Sequence, residues 1–247
     1  MLPLVNGSNY TGVYSAAHHC DNATPSYISQ SRSQDKEDQF LFSSFFKGLC
    51  GGSYVELGGL DGVRFSNSHM FHFGLQWHGV LIEPNPISFE ALKNNRPADD
   101  TFNEAVCART TDVSFINSHE RAVTGVLEFM APSFIQQWHK SFKPSEVLKI
   151  KCKPLSLIID ESSIGKGKAI DFLSLDVEGA EFEVLKTLDF KKHHFGVVFY
   201  EADEHNPIKN EAMKTMLEKH GYIFRIHTLR SNFHVNKMWH EMYAHLL

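Results

Sequence analysis

The sequence predicts an α/β domain with a mostly parallel sheet that is covered by helices on both faces. Segments of strand and helix character alternate along most of the chain, which is typical of parallel strands joined by crossover helices. Two strand segments, IDFLSLDV and FGVVFYEAD, are apolar at most positions, as expected for strands buried on both sides. The first strand of the alternation runs into a glycine-rich turn, YVELGGLDG, which points to a ligand at that end of the sheet.

Length and composition fit one large α/β domain. The chain has 247 residues, of which 42% are hydrophobic and 21% are charged. Residues 1–32 are polar, so we predict a flexible N-terminal arm there and a single domain over residues 33–247. Lys and Arg are scattered and the formal net charge is -5, which argues against nucleic acid as a partner. No apolar run reaches the roughly 18–20 residues of a membrane span, so we predict no such span in this chain.

The cysteine pattern argues against a metal finger or a redox motif. The four cysteines are well separated in the sequence and form no CxxC pair. We therefore predict that they are buried, reduced thiols. They are Cys20, Cys50, Cys107 and Cys152.

The first 24 residues contain three N-glycosylation sequons. They begin at Asn6, Asn9 and Asn22. The N-terminus lacks the features of a signal peptide, so a cytoplasmic location is the default expectation. Three sequons so close together make a lumenal or secretory origin the alternative.

Local patterns predict the elements of the first half of the chain. SQDKEDQFLFSSFFKGL has early acidic residues and apolar residues at helical spacing, so it predicts an amphipathic helix that Gly51 and Gly52 end. SNSHMFHFGLQ predicts a second helix, with Ser66 or Asn67 as its cap. ISFEALKNN predicts a third helix, and the strands of this half are SYVEL, GVLIEP and FNEAVCA.

The second half continues the alternation after a less regular stretch. Residues 111–153 contain DVSFIN, which predicts an extra hairpin, and the helix SFIQQWHK. The strand IDFLSLDV, the helix GAEFEVLKTL, the strand FGVVFYEAD and the helix NEAMKTMLEKHG follow in that order. YIFRIHT and NFHVNKM are expected to pair as a closing antiparallel hairpin.

The glycine turn and the next strand end place carboxylates near one edge of the sheet. Open α/β sheets bind ligands beyond the carboxyl ends of their strands, where the strand order reverses. The glycines are Gly58, Gly59 and Gly62, and they allow a ligand to approach the backbone closely. We expect Glu56 to direct its carboxylate at this pocket, and Glu83 to offer two acceptor oxygens to the vicinal hydroxyls of a ribose.

The spacing of the turn discriminates between ribose-containing ligands. NAD requires the pattern G-x-G-x-x-G, whereas this turn reads E-L-G-G-L-D-G and carries Asp61 where phosphates would lie. S-Adenosylmethionine has a ribose, a sulfonium and an ammonium but no phosphate, so the turn favours this cofactor. Two alternatives stay open, a tight glycine turn without a ligand and an NAD-dependent oxidoreductase.

A second acidic strand end lies in DFLSLDVEGAE. Asp176 and Glu178 are two residues apart, so they face the same side if the strand continues through them. Glu201 ends the following strand. Carboxylates held together are costly unless a metal, a substrate hydroxyl or a nearby cation compensates them. The alternative for Glu178 is that it caps the N-terminus of the next helix.

These motifs resemble the FkbM family of S-adenosylmethionine-dependent methyltransferases, with the closest likeness to the eukaryotic branch that includes Star-type proteins. The resemblance covers about residues 33–237, and its most specific part is DFLSLDVEGAEFEVLKTLDF. The other matching segments are SQDKEDQFLF, YVELGGLDGVRFSNS, VLIEPNP, NNRP, NEAVC and KCKPL. One departure is Gly59, which stands where many relatives have Ala and is sterically harmless.

The resemblance implies a fold, an activity and a set of site residues. The fold is a Rossmann-like class I methyltransferase sheet of seven strands, and the activity is methyl transfer, usually to a hydroxyl oxygen of a small molecule or glycan. Glu83 would hold the ribose, and Ser66 and Asn67 would lie beside the methionine end of the cofactor. The residues expected to bind the cofactor are Glu56, Gly58, Gly59, Gly62, Ser66, Asn67, Glu83, Asn103, Glu104, Ala105 and Asp176.

The expected catalytic residues are Asp176 and Glu178, one of which would accept the proton of the acceptor hydroxyl or orient it. We expect no metal, although a divalent ion held by these two residues and Glu201 is an alternative. A second alternative is a non-catalytic interaction or trafficking protein that keeps the methyltransferase fold. Residues 111–153 and the C-terminal hairpin are expected to shape the acceptor pocket. The aromatic residues of that region, for which core packing is favoured over ring stacking on a substrate, are Phe134, Trp138 and Phe142.

Overall fold

The structure, a computed structural model, describes residues 17–20, 25–164, 169–202, 204–228 and 230–243. The helices are α1 (Glu37–Leu41), α2 (His69–Leu75), α3 (Pro86–Asn95), α4 (Pro132–Trp138), α5 (Leu155–Glu161), α6 (Glu181–Leu185), α7 (Pro207–Lys219) and α8 (Lys237–Tyr243). The strands are β1 (His18–His19), β2 (Leu49–Cys50), β3 (Ser53–Leu57), β4 (His78–Ile82), β5 (Asp100–Phe102), β6 (Ala105–Val106), β7 (Thr111–Ile116), β8 (Gly125–Val126), β9 (Val147–Lys153), β10 (Ile170–Leu175), β11 (Phe195–Glu201), β12 (Tyr222–His227) and β13 (Ser231–Asn236). A π-helix, Phe42–Phe46, continues α1, and short 3-10 helices lie at Pro25–Gln30, Arg121–Val123 and Pro144–Glu146.

Seven strands form the central sheet in the order β12-β13-β11-β10-β3-β4-β5. The strands from β11 to β5 pair in parallel. Within this sheet only β13 runs in the opposite direction, because it is antiparallel to both of its neighbours, β11 and β12. The predicted Rossmann-like architecture, mostly parallel with a C-terminal antiparallel hairpin, is confirmed.

Alternate residues of the central strands pack against two different helical layers. Val55 and Leu57 of β3 belong to the core formed with α5, α6 and α7, whereas Tyr54 belongs to the core formed with α1, α2 and α8. Successive side chains of a strand point to opposite faces of the sheet. Strands covered on both faces therefore need apolar residues at most positions, which explains the apolar runs of β10 and β11.

A second sheet has four strands in the order β6-β9-β7-β8. The prediction of one strand over FNEAVCA was wrong, because β5 ends at Phe102 in the central sheet and β6 begins at Ala105 in the second sheet. The predicted DVSFIN strand is β7, which pairs antiparallel with β8 and β9. Strand β9 was not predicted, although its segment VLKIKCK alternates apolar and charged residues as a half-buried strand does.

The first predicted helix is confirmed over residues 37–46, as α1 and the π-helix. The prediction that Gly51 and Gly52 end it was wrong, because the helix ends at Phe46 and Leu49–Cys50 form β2. Residues on its N-terminal side also make contacts, since the Tyr27 ring packs 4.4 Å from the Phe42 ring and the carbonyl of Gln30 lies 2.8 Å from the His69 Nδ1 atom. These contacts precede the domain boundary predicted at residue 33, and the division into arm and domain stays a prediction. The sequons at Asn6, Asn9 and Asn22 lie outside the described residues.

The prediction of reduced thiols was wrong. The structure pairs Cys20 with Cys50 and Cys107 with Cys152 in disulfides, with Cα atoms 5.5 Å and 5.8 Å apart. The first disulfide lies where β1 pairs with β2, and the second joins the end of β6 to β9. The paired cysteines are 30 and 45 residues apart in sequence, so no local spacing reveals the pairing.

Among the described residues, no helix has both the length and the apolar character needed to cross a bilayer. The 13 residues of α7 compare with the roughly 20 apolar residues that a bilayer core requires.

Candidate active site

A cavity of about 580 Å³ lies at the carboxyl ends of the central parallel strands. The strand order reverses here, because the chain leaves β3 towards β4 and β5 and later returns on the other side of β3 as β10 and β11. The strand ends contribute Gly58, Glu83, Asp176 and Glu201 to the cavity wall. Its position is the usual one for ligands of open α/β sheets, and its volume lies within the range of about 300–1,000 Å³ for small-molecule sites.

The glycine turn forms part of the cavity wall. Gly58 has a φ of 81°, and a Cβ atom built on it would lie 1.8 Å from the carbonyl oxygen of Asp176. Both its conformation and this close approach therefore require glycine. Gly58 lines the cavity, whereas Gly59 and Gly62 pack against Leu92 and Arg96 behind the turn.

The Glu56 carboxylate faces the interior beneath the turn. It accepts hydrogen bonds from the backbone N–H of Asn67 at 2.6 Å, from the Ser66 hydroxyl at 3.0 Å and from the Ser68 hydroxyl. Glu56 does not contribute to the cavity wall, so the prediction that its carboxylate points into the pocket was wrong. The expected cap was also wrong, because α2 has Ser68 at its N-cap while Ser66 and Asn67 bind Glu56. Burial raises the pKa of Glu56, and the charge of Arg96 and these donors oppose that rise.

A buried arginine supports the turn from below. Arg96 has no exposed surface, and its guanidinium donates hydrogen bonds to several groups of the turn and of the neighbouring strand. The acceptors are the Gly62 carbonyl (3.1 Å), the Ser66 hydroxyl (3.3 Å), the Ser68 hydroxyl (3.0 Å), the Tyr54 hydroxyl and the Asp99 carboxylate (2.9 Å). The segment NNRP entered the sequence predictions only through the family resemblance, so no role was predicted for Arg96. A charged residue that precedes Pro97 where a predicted helix ends was the available signal.

Glu83 lines the cavity at the end of β4, as predicted. Its two carboxylate oxygens accept the backbone N–H groups of Leu60 at 2.9 Å and Asn85 at 2.7 Å. Burial raises the pKa of Glu83 to about 8. Asn103 is not part of the cavity wall, and its amide instead donates to the backbone carbonyls of Glu83 and Pro84. Asn103 therefore ties the end of β5 to the end of β4.

The cavity is also lined by Glu104 and Ala105, both of which are predicted site residues. The Glu104 carboxylate lies 3.0 Å from the ammonium of Lys153, which also contacts Glu161 at 2.6 Å. Lys153 is on β9, so the second sheet holds this wall in place. The Cys107–Cys152 disulfide joins the same two segments one residue from Lys153.

Three carboxylates converge where β10 and β11 end. Asp176, Glu178 and Glu201 each place an oxygen within 4.8 Å of the others. Since β10 ends at Leu175 and Glu178 has a φ of 56°, a turn and not strand alternation brings Asp176 and Glu178 together.

Neighbouring side chains hold this turn in shape. The Glu181 carboxylate accepts the backbone N–H groups of Val177 at 3.0 Å and Gly179 at 3.2 Å, and the Lys209 ammonium donates to the Gly179 carbonyl at 2.6 Å. The alternative in which Glu178 caps the next helix is wrong, because Glu181 makes these bonds while Glu178 lines the cavity.

The electrostatics of the three carboxylates favour bound protons or a cation. Burial raises the pKa of Asp176 to about 6 and that of Glu201 to about 9, and burial with the charges of the other two raises the pKa of Glu178 well above its usual value. Arg230 lies 4.0 Å from Glu201 but is about half exposed, so it compensates the negative charge weakly. The three oxygens could also ligate a hard divalent cation.

Residues 120–126 and α4 form another part of the cavity wall, separate from the strand ends. Trp138 lines it with 49% of its surface exposed, so for this residue the expectation of core packing was wrong. Phe134 is buried and packs edge-on against the His205 ring at 5.5 Å, and both line the cavity. Phe142 packs beside Phe134 and is not part of the wall.

Comparison with known families agrees with this geometry. The profile of the Methyltransferase FkbM domain matches residues 56–224. The chain belongs to the FkbM methyltransferase family. No protein with a curated description matches the chain.

Two solved structures are similar to this FkbM-family chain. The crystal structure of the FkbM methyltransferase from Methylobacillus flagellatus KT is 16% identical, with a TM-score of 0.47 over 85% of this chain and 49% of that chain. The present chain thus spans about half the length of that protein. A fibrillarin/Nop5p complex is 12% identical, with a TM-score of 0.37 over 74% of this chain and 71% of the other.

The matched FkbM region, residues 56–224, does not contain the whole cavity wall. Gln34 precedes it and Arg230 follows it, yet both line the cavity. Neither residue was predicted from the sequence, nor were Arg121 and Thr124, since none lies in a motif with a chemical signature. Their positions in the cavity wall depend on packing between distant parts of the chain.

Proposed function

We propose that the protein transfers a methyl group from S-adenosylmethionine to a hydroxyl group of a small molecule or glycan. One observation carries the proposal. The cavity at the strand switch point has Glu83 at one strand end and three converging carboxylates at the others. A ligand that carries both a ribose and positive charge suits this distribution, whereas a phosphorylated dinucleotide does not.

The residues present suit the cofactor. Glu83 would bind the ribose hydroxyls, and the backbone beside Glu104 and Ala105 would border the adenine. Asp176 and Glu178 would lie nearest to the sulfonium, because opposite charges stabilise each other. Gly58 permits close approach of the ligand to the turn between these two groups.

The mechanism assigns a separate task to each part of the cavity. S-Adenosylmethionine supplies an activated methyl group on a good leaving group. The wall made by residues 120–126 and α4 would hold the acceptor in line with that group and exclude water. Asp176 or Glu178 would accept the proton of the acceptor hydroxyl, and the pKa of about 6 for Asp176 suits a base that works near neutral pH.

The wall formed by residues 120–126 and α4 favours an acceptor that contains a ring and polar groups. Trp138 offers an exposed aromatic face, and Gln137 and His205 place polar groups beside it. Aromatic faces stack on sugar or other rings while polar neighbours bind hydroxyl groups. This combination favours a glycan or a hydroxylated metabolite over an apolar acceptor.

The proposal is tested first by binding and then by turnover. We expect isothermal titration calorimetry to show saturable binding of S-adenosylmethionine and none of NAD. We then expect transfer of label from methyl-labelled cofactor to at least one member of a panel of glycans, lipids and small metabolites. Absence of S-adenosylmethionine binding would overturn the cofactor assignment, and binding without transfer to any hydroxyl compound would favour a non-catalytic role.

The two disulfides support an oxidising compartment, such as the lumen of the secretory pathway, over the cytoplasmic default. Protein isolated in the presence of an alkylating agent should then contain no labelled cysteine. Four alkylated cysteines would favour the cytoplasm.

A further inference from the structure

We propose that Glu37, which lies outside the matched family region, binds the ammonium group of the methionine part of the cofactor. The inference rests on the proposed function, because it assigns one group of S-adenosylmethionine to one side chain.

Glu37 is the first residue of α1, and a buried carboxylate anchors the segment before it. Asp38 is fully buried and accepts hydrogen bonds from the hydroxyls of Ser31 at 2.9 Å and Ser33 at 2.7 Å, and from the backbone N–H of Arg32 at 3.0 Å. Ser33 also pairs with Phe65, which follows the glycine turn. These contacts hold residues 33–38 next to the ends of β10 and β11.

A small cavity of about 20 Å³ lies under this segment and adjoins the large one. Asn67, Asp176 and Glu201 line both cavities, which shows that the small one extends from the catalytic end of the site. Four carboxylates line the described part of the small cavity, those of Asp35, Glu37, Asp176 and Glu201. Among its described lining residues only Arg230 carries positive charge.

The size of the small cavity selects the group that enters it. A space of this volume accommodates about one water-sized group. The ammonium of the cofactor is of that size and donates three hydrogen bonds. The sulfonium carries three carbon substituents and donates none, so it belongs in the large cavity beside Asp176 and Glu178.

Glu56 does not serve this purpose, although it is the acidic residue of the glycine turn. It lines neither cavity, and both of its oxygens accept hydrogen bonds from Ser66, Asn67 and Ser68. Glu37 lines the small cavity, and its Oε2 atom accepts the backbone N–H of Asp35 at 2.9 Å. Glu37 is 7% exposed, and burial raises its pKa. A cation that enters the small cavity therefore stabilises the ionised form of Glu37.

The experiment compares three ligands by isothermal titration calorimetry with the wild-type protein and Glu37→Gln. S-Adenosylmethionine has both the sulfonium and the ammonium, S-adenosylhomocysteine keeps only the ammonium, and 5′-methylthioadenosine has neither. We expect Glu37→Gln to weaken binding of the first two ligands by about tenfold each and to leave the third unchanged. Glu90→Gln, the same change at an exposed position of α3, is the matched control and should alter no affinity.

The outcomes separate this inference from the proposed function. Wild-type protein that binds none of the ligands would overturn both. Wild-type protein that binds S-adenosylmethionine while Glu37→Gln binds it equally well would overturn only the role of Glu37. Weaker binding of S-adenosylmethionine alone would show that Glu37 faces the sulfonium. Equally weaker binding of all three ligands would show that Glu37 has only a structural role. Either result would contradict the proposal. Glu37→Asp, which keeps the charge, supplies a second variant and should lose less affinity than Glu37→Gln for the two ligands with an ammonium.

Discussion

The Arg96 guanidinium and the Asp99 carboxylate form an ion pair 2.9 Å long in which neither side chain is exposed to solvent. Asp99 also accepts the Tyr54 hydroxyl at 2.9 Å and the backbone N–H of Gly79 at 2.8 Å, while Arg96 reaches the carbonyl of Gly62. Burial opposes ionisation of Asp99, but the hydrogen bond from His72 and the charge of Arg96 hold its pKa below the usual value. The pair thus links the edge of the sheet to the glycine turn that lines the cavity.

We expect Arg96→Met to destabilise the fold by about 3–5 kcal/mol, because it leaves the buried charge of Asp99 without its partner. The free energy of unfolding, measured by urea titration, tests this expectation. Lys93→Met, at an exposed position of the same helix, is the control and should change stability by less than about 1 kcal/mol. Equal stability of the two variants would contradict the structural role of Arg96.

Replacing Glu83 by Gln should weaken binding of S-adenosylmethionine by about 10- to 100-fold. The amide keeps one acceptor oxygen, but its NH2 group cannot accept the second ribose hydroxyl or the backbone N–H that the replaced oxygen bound. The dissociation constant from calorimetry provides the test, with Glu90→Gln as the exposed control. Unchanged affinity would remove Glu83 from the cofactor site.

The affinity for S-adenosylmethionine should rise with pH up to about 8, above which the α-amino group of the cofactor loses its own proton. The pKa values of Asp176 and Glu201 are raised to about 6 and about 9, so these groups hold protons below those values. A cationic ligand favours the ionised carboxylates, and its binding therefore releases protons across this range, with at most about a tenfold gain per pH unit for each proton released. Calorimetry in buffers of different ionisation enthalpy counts the protons. Constant affinity between pH 6 and 9 without proton release would show that the three carboxylates do not face the cofactor charge.

Asp176→Asn and Glu178→Gln separate binding from chemistry. For whichever residue accepts the acceptor proton, we expect turnover to fall by about 10²–10⁴, which is far more than the loss of cofactor affinity that follows from removing one charge beside the sulfonium. Glu183→Gln on α6, where the carboxylate pairs with Lys186, is the control. Full turnover in both variants would contradict the assignment of the base. Full turnover in the presence of a chelator would exclude a divalent ion at the three carboxylates.

Loss of the Cys107–Cys152 disulfide should lower stability by about 4 kcal/mol, given the separation of 45 in sequence between the two cysteines. The double variant with Ser at both positions tests this by urea unfolding. We also expect weaker cofactor binding, because the disulfide joins the segment that carries Glu104 to the strand that carries Lys153. Wild-type stability in the double variant would show that the second sheet holds this wall without the disulfide.

Much of the fold could be predicted because its signals are local. The apolar runs of β10 and β11, the helical spacing of α1 and the turn residues between them are readable in short windows of sequence. Glu83 and Asp176 were predicted in one cavity because parallel strands bring their carboxyl ends to the same edge. The motifs around them also led to the family.

Other features depended on contacts between distant segments. The direction of Glu56 was predicted wrongly because it is set by Ser66, Asn67 and Ser68, which fold back beneath the turn. The separation of β5 from β6 required a second sheet, whose strand β9 lies more than 40 residues along the chain. The pairing of the cysteines likewise depends on contacts between segments that are far apart in the sequence.

The sequence by itself determined the order of strands and helices, the glycine turn and the acidic residues at the strand ends, because periodicity and turn chemistry act over a few residues. Only the tertiary structure decided which carboxylates line the cavity, which cysteines pair and how Glu37 and Arg230 come to lie beside Asp176. The physical reason is that these arrangements minimise the free energy of the packed molecule, in which a side chain's neighbours come from elements far away in the sequence.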